Sequence, residues 1–345
     1  MTAALNQSLS DLNIYSRRDK PSWNAIALIY IIGGYGSGLA LILLPSGWLN
    51  GLGVLLLSHT LFLSAVMTHE FMHSTIFAQQ KWNELGGNVM IWMNGGCYAR
   101  FRDLTRWHIA HHIERADFPP VNLAEFLQTF PAVICRIIYG LEWLYFPAIA
   151  FLMQWRALTR PFWSGKRQDE RWRTSMVLLI RGSLFALLAW VSLKALLLYF
   201  LSYIGMHFLM QIMNAFFHTY EPFSANMTIT QRDWIYEQAN SFSCLVSQNY
   251  GWLNLLVLNF GYHNAHHAVM RCPWHSLPEL DQDLIPHQPN APSHRFSVWQ
   301  MLGNYHTYRL ARLQGGHGQV IDEAGNYNLA NFRGDVGVGF MVLPV

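Results

Sequence analysis

Residues 21–69 read PSWNAIALIYIIGGYGSGLALILLPSGWLNGLGVLLLSHTLFLSAVMTH, 49 consecutive positions without Lys, Arg, Asp or Glu. Ala25–Leu44 supplies 20 uncharged residues, enough to cross a hydrocarbon core of roughly 30 Å at about 1.5 Å per residue. Pro45-Ser-Gly-Trp-Leu-Asn-Gly51 has turn chemistry, and a second apolar run then reaches Met67. The stretch 25–67 is therefore expected to be a transmembrane hairpin. A second hairpin is expected over 175–217, with spans Ser175–Leu193 and Ala195–Phe217 and Lys194 at the turn. Arg181 near the start of its first span is expected to snorkel to the interface.

Outside the hairpins the chain is polar. Of its 345 residues 52% are hydrophobic and 12% charged, where soluble domains carry roughly 25% charged residues. Mean hydropathy is only +0.14, so much of the chain lies in water. The net charge of +3 gives no ground for a nucleic-acid partner. Cys97, Cys135, Cys244 and Cys272 occur singly, as scattered thiols of a reducing compartment do. The polar first 20 residues are not expected to form a signal peptide.

Lys and Arg placement sets orientation. Arg17, Arg18 and Lys20 precede the first span, Arg156–Arg173 holds six basic residues, and the far turns hold only Lys194. Both termini and the central loop are expected to be cytoplasmic. The expected fold is an α-helical integral membrane protein with four transmembrane helices in two hairpins and a cytoplasmic helical cap carrying a metal site. Its parts are an N-terminal segment (1–24), hairpin 1 (25–67), a cytoplasmic or interfacial segment (68–174), hairpin 2 (175–217) and a C-terminal region (218–345). Asn88–Cys97 is too short to span and fits a re-entrant or interfacial piece. Thr129–Trp155, interrupted by Arg136, Glu142 and Pro147, reads as one interfacial amphipathic helix. The Gly-containing tail from Gly315 onward reads as loops or short strands.

The chemistry lies in the histidines. His69 and His73 end the second apolar run, His108, His111 and His112 form H-x-x-H-H, and His218 follows the fourth span. His263, His266 and His267 form a second H-x-x-H-H. On a helix, positions i, i+3 and i+4 are neighbours about 5–6 Å apart, so each box can present imidazoles to one metal or to two adjacent metals. All four clusters fall at the same ends of the spans. A closed zinc site takes four ligands and a catalytic one three plus water. Nine imidazoles exceed either, but they suit a metal pair with positions left for oxygen. Imidazole suits iron, and zinc has no redox chemistry, so the set points to two iron ions and O₂. His69-Glu-Phe-Met-His73 also matches the zinc-protease motif H-E-x-x-H. That alternative, an intramembrane protease, leaves seven clustered histidines unexplained; otherwise Glu70 orients a ligand imidazole.

With HEFMH at 69–73, HIAHH at 108–112, NAFFH at 214–218 and HNAHH at 263–267, the chain resembles the membrane fatty acid desaturase superfamily over roughly Ile26–Leu280. Pro273-Trp-His-Ser-Leu-Pro278 resembles the family's segment after the last box. The resemblance implies a di-iron centre held by the nine boxed histidines, with Asn214 acting through water. It implies an O₂-dependent desaturase that forms a double bond in a lipid acyl chain. It also implies a separate electron donor of ferredoxin, rubredoxin or cytochrome b5 type, since no H-P-G-G occurs. A hydroxylase or carotenoid ketolase of the same superfamily is the alternative. Glu114, Asp117 and Glu221 follow the boxes and are either partners of the ligands or solvated charges. His59 and His207 lie about 15 Å deeper and are expected to pair between helices or to line a substrate channel. His275, His287, His294, His306 and His317 lack box spacing and are expected at the surface.

Overall fold

Pro21 opens the first long helix, at a position where its missing N–H would be unpaired in any case. The computed structural model describes residues 12–17, 19–223, 227, 229–285, 294–322, 326–336, 341 and 343. In it α1 (Pro21–Leu43) and α2 (Gly47–Met72) are joined by a short turn, as are α8 (Arg171–Val191) and α9 (Leu193–Asn214). These four helices are long and apolar enough to cross a membrane. α2 packs along α1 and α9 and is the most enclosed of the four. α8 leaves Leu179, Leu187 and Trp190 exposed, an apolar surface that lipid would cover. At the ends remote from the boxed histidines, Lys194 Nζ donates to Leu44 O at 2.6 Å and to Asn50 Oδ1 at 2.8 Å. One ammonium thereby ties the two turns together.

Four expectations for this region change. Arg181 does not snorkel: it lies midway along α8, where its guanidinium donates to Trp92 O at 2.8 Å. The stretch 88–97 is the second half of α3 (Gln80–Asn94) and a 3₁₀ turn at Gly96–Tyr98. That turn is irregular backbone against apolar helices, so its carbonyls need donors. Arg173 supplies them to Cys97 O, Tyr98 O and Ala99 O at 2.7–3.0 Å. Thr129–Trp155 is two helices, α6 (Ala132–Trp143) and α7 (Ala148–Trp163), because Pro147 disfavours helix at the residue before it. Tyr145 takes a left-handed φ of 62° at the break, and Glu142 Oε1 accepts from the freed Ile149 N–H at 2.8 Å. Helix ends also move: the second pair runs 171–191 and 193–214 rather than 175–193 and 195–217.

The remaining helices are shorter than the four long ones. They are α4 (Phe101–Glu114), α5 (Leu123–Gln128), α10 (Trp234–Ala239), α11 (His263–Ala268), α12 (Leu277–Leu284) and α13 (Val298–Thr307). Two short strands, β1 (Ser243–Leu245) and β2 (Arg295–Ser297), pair in parallel with Cys244 opposite Phe296. The described part of the tail is non-helical apart from a 3₁₀ turn, and its Phe332 is buried against Phe216 and Phe242.

Candidate metal centre

α2 continues beyond its apolar run, so His69 lies in its last turn and His73 caps it. The first box is part of the span rather than an appendage to it. α4 presents His108, His111 and His112. His218 follows the end of α9 and is held by a bridge to Ser241. α11 presents His263, His266 and His267. The approach to α11 depends on Gly261, whose amide oxygen accepts from Cys244 N at 2.7 Å. A Cβ at Gly261 would lie 2.1 Å from Cys244 O, so a side chain there would push the last box away from β1.

These elements sort nine imidazoles into two adjoining nests, each able to hold a metal ion: His69, His73, His108, His112 and His266, and His111, His218, His263 and His267. His111 is half-buried and the other eight are buried. Nε2 atoms face one another at 2.8 Å (His73–His108), 3.2 Å (His108–His112), 3.2 Å (His112–His266), 3.1 Å (His111–His218) and 2.7 Å (His218–His263). Two imidazole nitrogens about 2.0–2.1 Å from one metal are about 2.9–3.4 Å apart at right-angled to tetrahedral geometry, so the spacing suits shared ligation.

Proton accounting gives the same answer. A neutral imidazole carries one N–H. His111 Nδ1 faces Ala116 O at 2.9 Å and Asp117 Oδ1 at 3.1 Å. His267 Nδ1 faces Glu237 Oε1 at 3.3 Å, and His69 Nδ1 faces Glu70 Oε1 at 3.3 Å. Oxygens that only accept hold the proton on Nδ1 and leave a lone pair on Nε2, directed inward. Burial, reinforced by the neighbouring rings, pushes His73, His108, His112, His218, His263 and His267 well below the usual histidine range; burial and His69 do the same to His266. Converging lone pairs on neutral rings repel unless a cation lies between them. The residues therefore fit a metal pair.

A family model described as fatty acid desaturase matches residues 46–314. The chain belongs to the fatty acid desaturase family. No curated protein matches it. The family implies an oxidoreductase with a desaturase-type function, and four helices long and apolar enough to cross a membrane agree with a membrane protein.

Of the carboxylates near the boxes, the desaturase places two beside ligand rings. Glu70 is buried, and besides facing His69 it accepts from Thr75 Oγ1 at 2.8 Å and from Trp274 N at 3.2 Å. Asp117 is buried beside His111. Glu221 is not at the site: its side chain is 70% exposed and pairs with Arg232. Glu114 is exposed as well. Sequence reasoning missed Glu237, on α10, whose carboxylate lies between the nests within ligand distance of His112 and His267. It also accepts from Arg115 Nε at 3.1 Å. Burial pushes its carboxyl up to about 7, opposed by the Arg115 guanidinium. The one sequence signal was an acidic residue in a short helix away from any box.

Asn214 ends α9 and lines a cavity with His207. His59 and His207 do not pair. His59 Nε2 donates to Leu256 O at 2.8 Å, and its Nδ1 accepts from Tyr30 Oη at 2.8 Å. His275 and His294 are buried, not surface residues. His317 is half-buried, with Nε2 donating to Tyr220 O at 3.0 Å. His306 is exposed, and His287 lies outside the described residues.

Proposed function

We propose that the chain is an O₂-dependent di-iron desaturase that introduces a double bond into a lipid acyl chain. The nine boxed histidines hold two iron ions, five in one nest and four in the other, and Asn214 acts through water. The observation that carries this assignment is the convergence of imidazole nitrogens in two adjoining nests, the ligand atoms of each within 4.8 Å of one another. Bound iron supplies the redox capacity to reduce O₂ to water while two hydrogens leave neighbouring methylenes.

The chain's own residues prepare that chemistry. Glu70 and Glu237 fix the Nδ1 protons and ring orientations of His69 and His267, and Ala116 O does so for His111, beside which Asp117 lies. α2 and α9 carry the centre at the ends of spans, so a lipid tail reaches it from the bilayer while a donor delivers electrons from the aqueous side. The positive-inside pattern supports two hairpins, cytoplasmic termini and a cytoplasmic cap. The donor is a separate ferredoxin, rubredoxin or cytochrome b5 type carrier.

The test is metal analysis of the purified chain, together with lipid profiling of a host that supplies a donor. Two iron ions per chain and new acyl unsaturation are expected. One zinc per chain without iron would return the protease alternative, and a keto or hydroxyl product would return the ketolase or hydroxylase.

A further inference from the structure

Tyr203, His207, Gln211 and Asn214 recur on α9 at spacings of four, four and three, so they form one polar stripe on an otherwise apolar helix. His218 continues that stripe into the metal nests. Polar side chains within a membrane helix face a cavity or a partner. Tyr203 Oη donates to Gln154 Oε1 at 3.1 Å, and Gln211 Oε1 accepts from Tyr305 Oη at 2.9 Å. His207 is different. It is 8% exposed, and among the described residues its Nε2 has no hydrogen-bond partner. Its ring lies against Phe151 and Tyr203, with centroids 5.1 and 4.8 Å away.

His207 lines a cavity of about 100 Å³ that also touches Asn214, Gln211, Gln154, Met206 and Met210. One end of the cavity meets Asn214 beside the nests. At the other, Tyr98 and Gln154 are shared with a second cavity, lined by Phe185 and Phe200, between α7, α8 and α9. Seven residues separate His207 from Asn214, about 10 Å along the helix. A hydrocarbon segment in this space would leave the His207 Nε2 unsatisfied, which a buried polar group resists.

We propose that His207 binds the oxygen group of the lipid substrate roughly 10–15 Å from the metal centre, and so sets which carbons meet it. A neutral Nε2 either donates to a carbonyl or accepts from a hydroxyl. The oxygen is therefore the acyl carbonyl itself or an in-chain hydroxyl or keto group. His207 is a positioning residue, and this role rests on the desaturase function proposed above.

The test compares the parent chain with His207→Leu, which keeps bulk without a hydrogen bond, and His207→Gln, which restores one. His207→Met replaces the Leu variant if that one does not fold. Competition binding to the detergent-solubilised full chain uses an acyl lipid, the same lipid with a hydroxyl scanned along its chain, and an oxygen-free alkane analogue. The parent is expected to prefer one oxygen-bearing lipid over the alkane by roughly tenfold, with the Leu variant losing that preference and the Gln variant keeping it. Preference for the plain acyl lipid identifies the carbonyl, and preference for one hydroxylated lipid identifies the in-chain group. In turnover, the Leu variant is expected to raise KM about tenfold with little change in kcat and to scatter the double-bond position. Equal binding preference in the parent and the Leu variant overturns the role of His207, whatever the turnover. An intact preference without any double bond formed overturns the desaturase function and leaves the binding role standing.

Discussion

Glu237→Gln separates the site that folding builds from the one that box-adjacent sequence suggests. Glu237 Oε1 faces His267 Nδ1 at 3.3 Å and Oε2 accepts from Arg115 Nε at 3.1 Å, with 4% of the residue exposed. Glutamine keeps one acceptor. Whichever donor its oxygen serves, its NH₂ group meets the other donor, and a buried polar group left unmatched costs about 1–3 kcal/mol. If that cost falls on the orientation of His267, metal retention drops about 10–100-fold, the effect usual for losing the outer partner of a ligand. The ratio corresponds to about 1.4–2.7 kcal/mol, so the two routes agree. The assay titrates a chelator against the iron-loaded chain and reads the metal remaining, beside the same titration of Glu221→Gln. Glu221 is exposed, and its variant should follow the parent curve. Parent-like retention in Glu237→Gln, or an equal loss in Glu221→Gln, would refute the assignment of Glu237 as the group that orients His267.

Two further outcomes follow from the fold. Gly95 has φ +86°, and a Cβ there would lie 2.3 Å from Tyr203 Oη. Gly95→Ala should lower the yield of folded protein, with roughly 1–2 kcal/mol from the left-handed backbone alone and a clash in addition; Tyr203→Phe in the same chain should restore part of the yield. Asp281 is buried on α12, and burial pushes its carboxyl up to about 6 despite Arg295 Nη2 at 2.8 Å from Oδ2. Because the folded state holds this proton above the unfolded value of about 3.9, stability should fall as pH rises from about 4 to 6 and level off above that. Asp281→Asn should flatten this window in thermal midpoints measured in detergent, and an unchanged slope would show that Asp281 does not titrate there.

The legible parts of the sequence were those governed by local rules. Four helices long enough to span follow from uninterrupted apolar runs such as 25–44, since in lipid the backbone must satisfy itself within the helix. The boxes were legible because i, i+3 and i+4 share a helix face whatever the rest of the chain does. Glu237 and Glu221 show where such rules stop. Both are acidic and neither lies in a box, yet one is buried between the nests and the other is at the surface with Arg232. Their own neighbourhoods point the wrong way, since Glu221 follows the His218 box and Glu237 lies away from any box. The division of nine histidines into five and four was equally illegible, because α4 sends His112 to one nest and its neighbour His111 to the other. The same holds for Arg181, which local hydropathy places at an interface and tertiary structure places against Trp92 O.

By itself, then, the sequence determined the number of apolar helices, the four histidine clusters and the ends of the spans at which they fall, all consequences of periodicity and length. The tertiary structure alone decided which imidazoles share a nest, which carboxylates lie beside them and which polar side chains, His207 among them, line a cavity. Those outcomes depend on contacts between residues far apart in the chain, such as His218 with His263 and Glu70 with Trp274, and spacing along one helix carries no record of them.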